Sequence, residues 1–127
     1  MLSLRFLIIL MSVMLASICD AGHLHHEKWY QDKWCIEHGG RTNVRMPDGT
    51  YCDCITDEYA IEFDFAPKWA EALGQSLNYG LQSNRQAAIV LILESDRQLP
   101  LWIRLNSVIQ NFHLPITTWS LSPSKLF

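Results

Sequence analysis

Residues 51–65 read YCDCITDEYAIEFDF, and the alternation inside this stretch decides the fold. Thr56-Asp57-Glu58 has turn composition and divides it into two extended runs, Thr50 to Thr56 and Tyr59 to Phe65. Successive side chains of a strand point to opposite faces, so Ile61, Phe63 and Phe65 share one face while Glu62 and Asp64 share the other. If the two runs pair as a hairpin, Asp53 reaches the face of Glu62 and Asp64. Cys52 and Cys54 are then expected together on the opposite face.

Upstream, Arg41 to Met46 alternates roughly between polar and apolar residues, and Met46-Pro47-Asp48-Gly49-Thr50 is a turn. The three runs predict a meander. Before it, Glu27 to His38 carries Trp29, Tyr30, Trp34 and Ile36 among charged residues, as an amphipathic helix does, and Gly39-Gly40 ends it. Downstream, Pro67 to Tyr79 predicts a helix with Trp69, Leu73 and Leu77 inward and Gly80 just past its end. Ala87 to Leu93 is a continuous apolar run that suits a strand covered on both faces, reached by a right-handed crossover. Asp96 to Phe112 has helical spacing, Pro115 to Leu121 suits an edge strand, and Ser122 to Phe127 reads as a tail. The expected class is α/β, with an αβββαβ core and a small mixed sheet flanked by helices.

The chain has 127 residues, 49% hydrophobic and 18% charged, which suits one folded domain. Residues 1–21 have a basic residue at Arg5, an apolar run from Phe6 to Leu15 and the small and polar end Ala16-Ser17-Ile18-Cys19-Asp20-Ala21, the layout of a secretory signal peptide. Cleavage after Ala21 leaves residues 22–127 as a single domain, exported to a periplasmic or secreted destination, with no stable membrane span. A lipoprotein using Cys19 and an uncleaved anchor are the alternatives. Export permits disulfides among Cys35, Cys52 and Cys54. Two cysteines two residues apart on one strand face lie about 7 Å apart, so Cys35 is expected to pair with one of them.

Net charge is −3 and the sequence pI about 5.9, so there is no global electrostatic footprint for nucleic acid, although Arg41, Arg45, Lys68 and Arg85 can form a local basic patch. His23, His25 and His26 are candidate transition-metal ligands, but a solvated chain end offers them no fixed geometry.

Asp53, Glu62 and Asp64 on one face would repel one another unless a proton or a cation intervenes, and hard oxygen ligands suit Mg²⁺ or Mn²⁺. The competing expectation is that these acids are the solvated face of a hairpin. On the following helix, Lys68, Ala72, Gln75 and Tyr79 fall within about 60° of arc, a mostly polar row set apart from the apolar one.

Asp53, then Glu62-Phe63-Asp64, then Gln75-Ser76-Leu77-Asn78-Tyr79 resembles the PD-(D/E)XK nuclease superfamily in its RecB-like branch, over about residues 37 to 93. The resemblance implies a restriction-endonuclease-like fold and a hydrolase that cuts nucleic-acid phosphodiester bonds with magnesium. It makes Asp53 and Glu62 metal ligands, with Asp64 a third. Gln75 and Tyr79 then support the site. The catalytic set it implies is Asp53, Glu62, Asp64, Lys68, Gln75 and Tyr79. Asp64 stands where the family carries lysine, and Lys68 on the adjacent helix is the candidate for the displaced cation. DNA or RNA is the implied partner.

Two other readings follow from the residues. With Asp64 in the lysine position and an acidic overall balance, the chain suits a catalytically inactive module of the same fold that binds nucleic acid or a protein partner. Cys35, Cys52 and Cys54 with the histidine-rich segment suit an exported redox or metal-handling protein.

Overall fold

The computed structural model describes residues 22–125; the expected signal peptide lies outside the described residues. Helix α1 (Glu27–Glu37) leads into β1 (Arg41–Arg45), β2 (Tyr51–Ile55) and β3 (Tyr59–Phe65). Then come α2 (Trp69–Ser83), β4 (Gln86–Ile92), α3 (Leu99–Asn111) and β5 (Ile116–Leu121). Single turns of 3-10 helix precede α2 and α3 and follow β5. The chain is an α/β protein with a five-stranded mixed sheet in the order β1-β2-β3-β4-β5. The β1–β2 and β2–β3 pairs are antiparallel, as expected of a meander, and β3–β4 and β4–β5 are parallel, as expected of helical crossovers.

Alternation along β3 distributes the core as the sequence predicts. Ile61, Phe63 and Phe65 pack beneath α1 with Tyr30, Trp34 and Val90. On the other face Ala72, Leu105 and Ile109 of α2 and α3 cover Ala87, Ile89 and Leu91. One helix thus covers one face and two cover the other, leaving Glu62 and Asp64 on the α2 side, buried beneath it.

Three expectations are corrected. Helix α2 does not stop before Gly80 but runs on to Ser83, where Asn84 caps it in the left-handed conformation at φ 52°. Gly80 is there for space: a Cβ on it would lie 3.1 Å from the Ala87 Cβ and 3.1 Å from the Arg85 carbonyl oxygen, so its lack of a side chain lets the helix lie against β4. Cys52 and Cys54 do not share a face. Cys54 packs on the α1 side, whereas Cys52 packs with Met46, Ile55, Ala60 and Tyr79. The reason is an irregularity between them, at Asp53: its neighbour across β1, Asn43, has φ 54°, and regular pairing of β2 with β3 covers only Ile55↔Ala60 and Cys54↔Ile61. Finally, the histidine segment is not solvated throughout. The His23 ring stacks on Phe65 at 3.6 Å and its Nδ1 lies 2.6 Å from Glu94 Oε1, while His25 stacks on Trp29 at 3.7 Å.

Cys35 and Cys54 form a disulfide that ties α1 to β2, and Gly40 makes room for it, since a Cβ there would lie 2.6 Å from both sulfurs. This bridge is consistent with an exported protein. Among the described residues, no helix is long and apolar enough to cross a membrane.

Candidate functional site

Strand β3 stays paired with β4 through Phe65↔Ile92, but its other edge loses β2 beyond Ile61. The two strands diverge there into a fork. The unpaired N–H of Phe63 donates to Asp53 Oδ2 at 2.9 Å, so a side chain stands where a ladder carbonyl would have been. Asp53 thereby comes beside Glu62, and the two carboxyls share a hydrogen bond.

Burial sets the electrostatics of this fork. It pushes the Glu62 carboxyl up to about 10, helped by the charges of Asp53 and Asp64, so the Asp53–Glu62 pair favours holding a proton between them. Asp53 is also raised by burial, and the Phe63 N–H opposes the shift. Asp64 is pushed up to about 7 by burial, then by the charge of Glu27, with Lys68 pulling it back. Among the described residues, two carboxyl oxygens, Glu62 Oε2 and Asp64 Oδ2, are buried with no hydrogen-bond partner. Burying carboxyl oxygens without partners is costly.

The sequence reading missed a fourth acid. Glu27, the first residue of α1, is raised to about 7 by burial and then by Asp53, while Gln31 donates to its Oε1 at 2.9 Å. A signal for it exists: Glu27, Gln31 and Trp34 follow helical spacing, and Gln31 and Trp34 are buried, which places Glu27 on the flank of the inward stripe.

The other expected site residues are placed unequally. Lys68 is exposed where α2 begins, close enough to the fork that its charge lowers both Asp64 and Glu27. Tyr79 is buried; burial pushes its hydroxyl up to about 12, the charges of Glu62 and Asp53 add to this, and a hydrogen bond with Thr50 opposes it. Gln75 is exposed and makes no hydrogen bond to the acids among the described residues, because Ala72 and Ser76 take the inward positions on that side of α2.

The donor chemistry fits a hard divalent cation: four carboxyls, two of them with unpartnered buried oxygens, and no nitrogen or sulfur ligand among them. Among the described residues, no three His, Cys, Asp or Glu side chains already stand together as a metal-holding group. The raised Asp53–Glu62 pair favours a proton, so an ion would have to compete with that proton for these carboxyls.

Fold and site together define a small α/β protein whose buried carboxyls crowd a fork between diverging strands. No family model, no curated protein and no solved structure matches the chain.

Proposed function

We propose that the chain is a metal-dependent nuclease of the PD-(D/E)XK type, with a restriction-endonuclease-like core formed by α1 through β4. The observation that carries this reading is the pair of buried, unpartnered oxygens, Glu62 Oε2 and Asp64 Oδ2, in a fork that also holds Asp53. Asp53, Glu62 and Asp64 are the residues that would hold Mg²⁺ or Mn²⁺, with Glu27 beside them. When bound, the ion supplies a nucleophilic water and stabilises charge on the phosphate.

The chain's own residues prepare that chemistry. The Phe63 N–H fixes one oxygen of Asp53 beside Glu62. For Glu62 to hold an ion it would have to release its proton to solvent. Asp64 and Glu27, raised to about 7, remain able to take or release a proton near neutral pH. Lys68 provides the positive charge that the resemblance expects and Asp64 cannot, and its exposure leaves it free to meet a phosphate.

A second reading is favoured by one observation: the acids are not gathered into a ready metal-holding group. A catalytically inactive module of the same fold would keep the fork and lose the ion. Redox or metal handling through thiols is disfavoured by the cysteines themselves, since Cys35 and Cys54 are bonded to each other and the buried Cys52 thiol is pushed up to about 12 by burial.

Calorimetry with Mg²⁺ and Mn²⁺ on the wild type, Asp53→Asn and Glu62→Gln, alongside cleavage of plasmid and single-stranded DNA and of RNA, tests these readings. Nuclease action requires binding and cleavage that both disappear in the variants. Ion binding without cleavage selects the inactive module, and the absence of ion binding removes the metal site altogether.

A further inference from the structure

A cavity of about 350 Å³ opens on the α1 side of the sheet, the face opposite Glu62 and Asp64; its walls include Trp34, Tyr59 and Trp119, with His38, Asp57 and Glu58 also lining it. It exists because α1 is short. That helix ends at Glu37 and the chain turns away through Gly39 at φ 71°, leaving Tyr59 and Trp119 half-exposed beyond it. The rings stand in fixed relation: Trp34 and Trp119 have centroids 5.2 Å apart with planes at 50°, Tyr59 meets Trp119 at 5.1 Å nearly perpendicular, and His38 stacks on Trp34 at 3.6 Å. The His38 Nδ1 lies 2.7 Å from the Trp34 carbonyl oxygen, which keeps the imidazole parallel to that indole.

Charge decides what such a cavity would take. Aromatic walls alone suit either a stacked base or a cation, because both use the electron-rich ring face. Asp57 and Glu58 add two exposed carboxylates in the turn that lines the cavity, and neither is in an ion pair among the described residues. Of the basic residues beside it, Arg85 is engaged through its Nε with the Thr56 carbonyl oxygen at 2.8 Å, and Arg41, paired with Ile55, does not line the cavity. Paired carboxylates repel the phosphate of a nucleotide and attract a positive head group.

We propose that this cavity binds an organic cation with a quaternary ammonium head group, held against Trp119 and Tyr59 and neutralised by Asp57 and Glu58. The volume accommodates one such head group with its substituents, and the walls satisfy it without hydrogen bonds, which a quaternary ammonium does not donate. The site shares no residue with the carboxylate fork and does not depend on the nuclease reading.

The test is titration of the intact exported protein with choline and, in parallel, with 3,3-dimethylbutan-1-ol, its uncharged isostere, followed by calorimetry and tryptophan fluorescence. Choline is expected to bind saturably and roughly tenfold more tightly than the isostere, the ratio that a cation–π contribution of ordinary size provides. The double variant Asp57→Asn with Glu58→Gln changes only exposed side chains; it is expected to fold normally and weaken choline several-fold while leaving the isostere unchanged. Trp119→Leu is expected to abolish the preference for the cation. Sedimentation with phosphatidylcholine vesicles that free choline reverses would place the head group on a lipid, and choline binding without sedimentation would make it a free solute. No saturable choline binding, equal binding of the isostere, or displacement of choline by a nucleoside monophosphate would overturn the proposal.

Discussion

Glu62 concentrates the physical tension of this protein, because burial and two neighbouring carboxyls all favour its protonated form. Its folded pKa of about 10 lies far above the ordinary glutamate value of 4.5, so the folded state binds the proton more tightly than the unfolded chain does. The stability this contributes is complete below about pH 4.5 and is lost progressively as pH rises toward 10. Asp64 and Glu27, both raised to about 7, act in the same direction over the lower part of that window. Asp48 has the opposite sign: held down to about 2 by its hydrogen bonds to Thr50, it contributes stability above its ordinary 3.8 that is lost only in stronger acid. The metal-free protein is therefore expected to melt at a lower temperature at pH 8 than at pH 5, measured by circular dichroism in the presence of chelator. Glu62→Gln replaces the protonated carboxyl with a neutral group of similar shape. It should raise the melting temperature at pH 8 and flatten the pH dependence; an unchanged slope would show that Glu62 is not the group that titrates.

Element boundaries were legible where local chemistry sets them and not where tertiary contact does. The αβββαβ order, the apolar run of β4 and the hairpin turn at Pro47-Asp48-Gly49 follow from period and turn residues and hold in the structure. The sequence points to Gly80 as a helix end because a glycine past an apolar stripe usually is one. Its role as a spacer against Ala87 depends on β4 lying alongside, which no local pattern encodes. Substituting it tests this: Gly80→Ala gains helix propensity of up to about 1 kcal/mol but forces a methyl into contacts of 3.1 Å with Ala87 and Arg85. Net destabilisation of about 1–2 kcal/mol is expected in urea melts, and a more stable variant would show that α2 can move outward freely. The irregularity at Asp53 was equally hidden, since strict alternation placed Cys52 beside Cys54. Of the two partners open to Cys35, the bridge goes to the one beneath α1. Replacing Cys35 and Cys54 by serine together opens a link between positions 19 residues apart and is expected to cost about 3 kcal/mol, read as a lower urea midpoint.

At the scale of the whole molecule, the division of labour between the two faces of the sheet follows from the uneven helix cover. Two helices enclose the α2 face well enough to bury Glu62 and Asp64, and the single helix on the other face leaves an aromatic cavity partly open. The acids on β3 were legible as one face of a strand, but Glu27 was not, because only the packing of α1 across the fork brings it there. A metal ion at the fork would couple the site to the stability of the entire domain. Proton and cation compete for the same carboxyls, so Mg²⁺ should stabilise the protein most where the proton stabilises it least. At a hundredfold excess over its dissociation constant a ligand of the folded state contributes about 2.7 kcal/mol, which in a domain near this size raises the melting temperature by roughly 10 °C. That rise is expected at pH 8, is expected to shrink toward zero at pH 5, and should be absent at both in Glu62→Gln, whose amide offers the ion no charge. Differential scanning calorimetry over a Mg²⁺ series at the two pH values checks it. A rise of equal size at both pH values would place the ion elsewhere, and no rise at pH 8 would leave the fork as a proton-bridged pair of acids with no metal to hold.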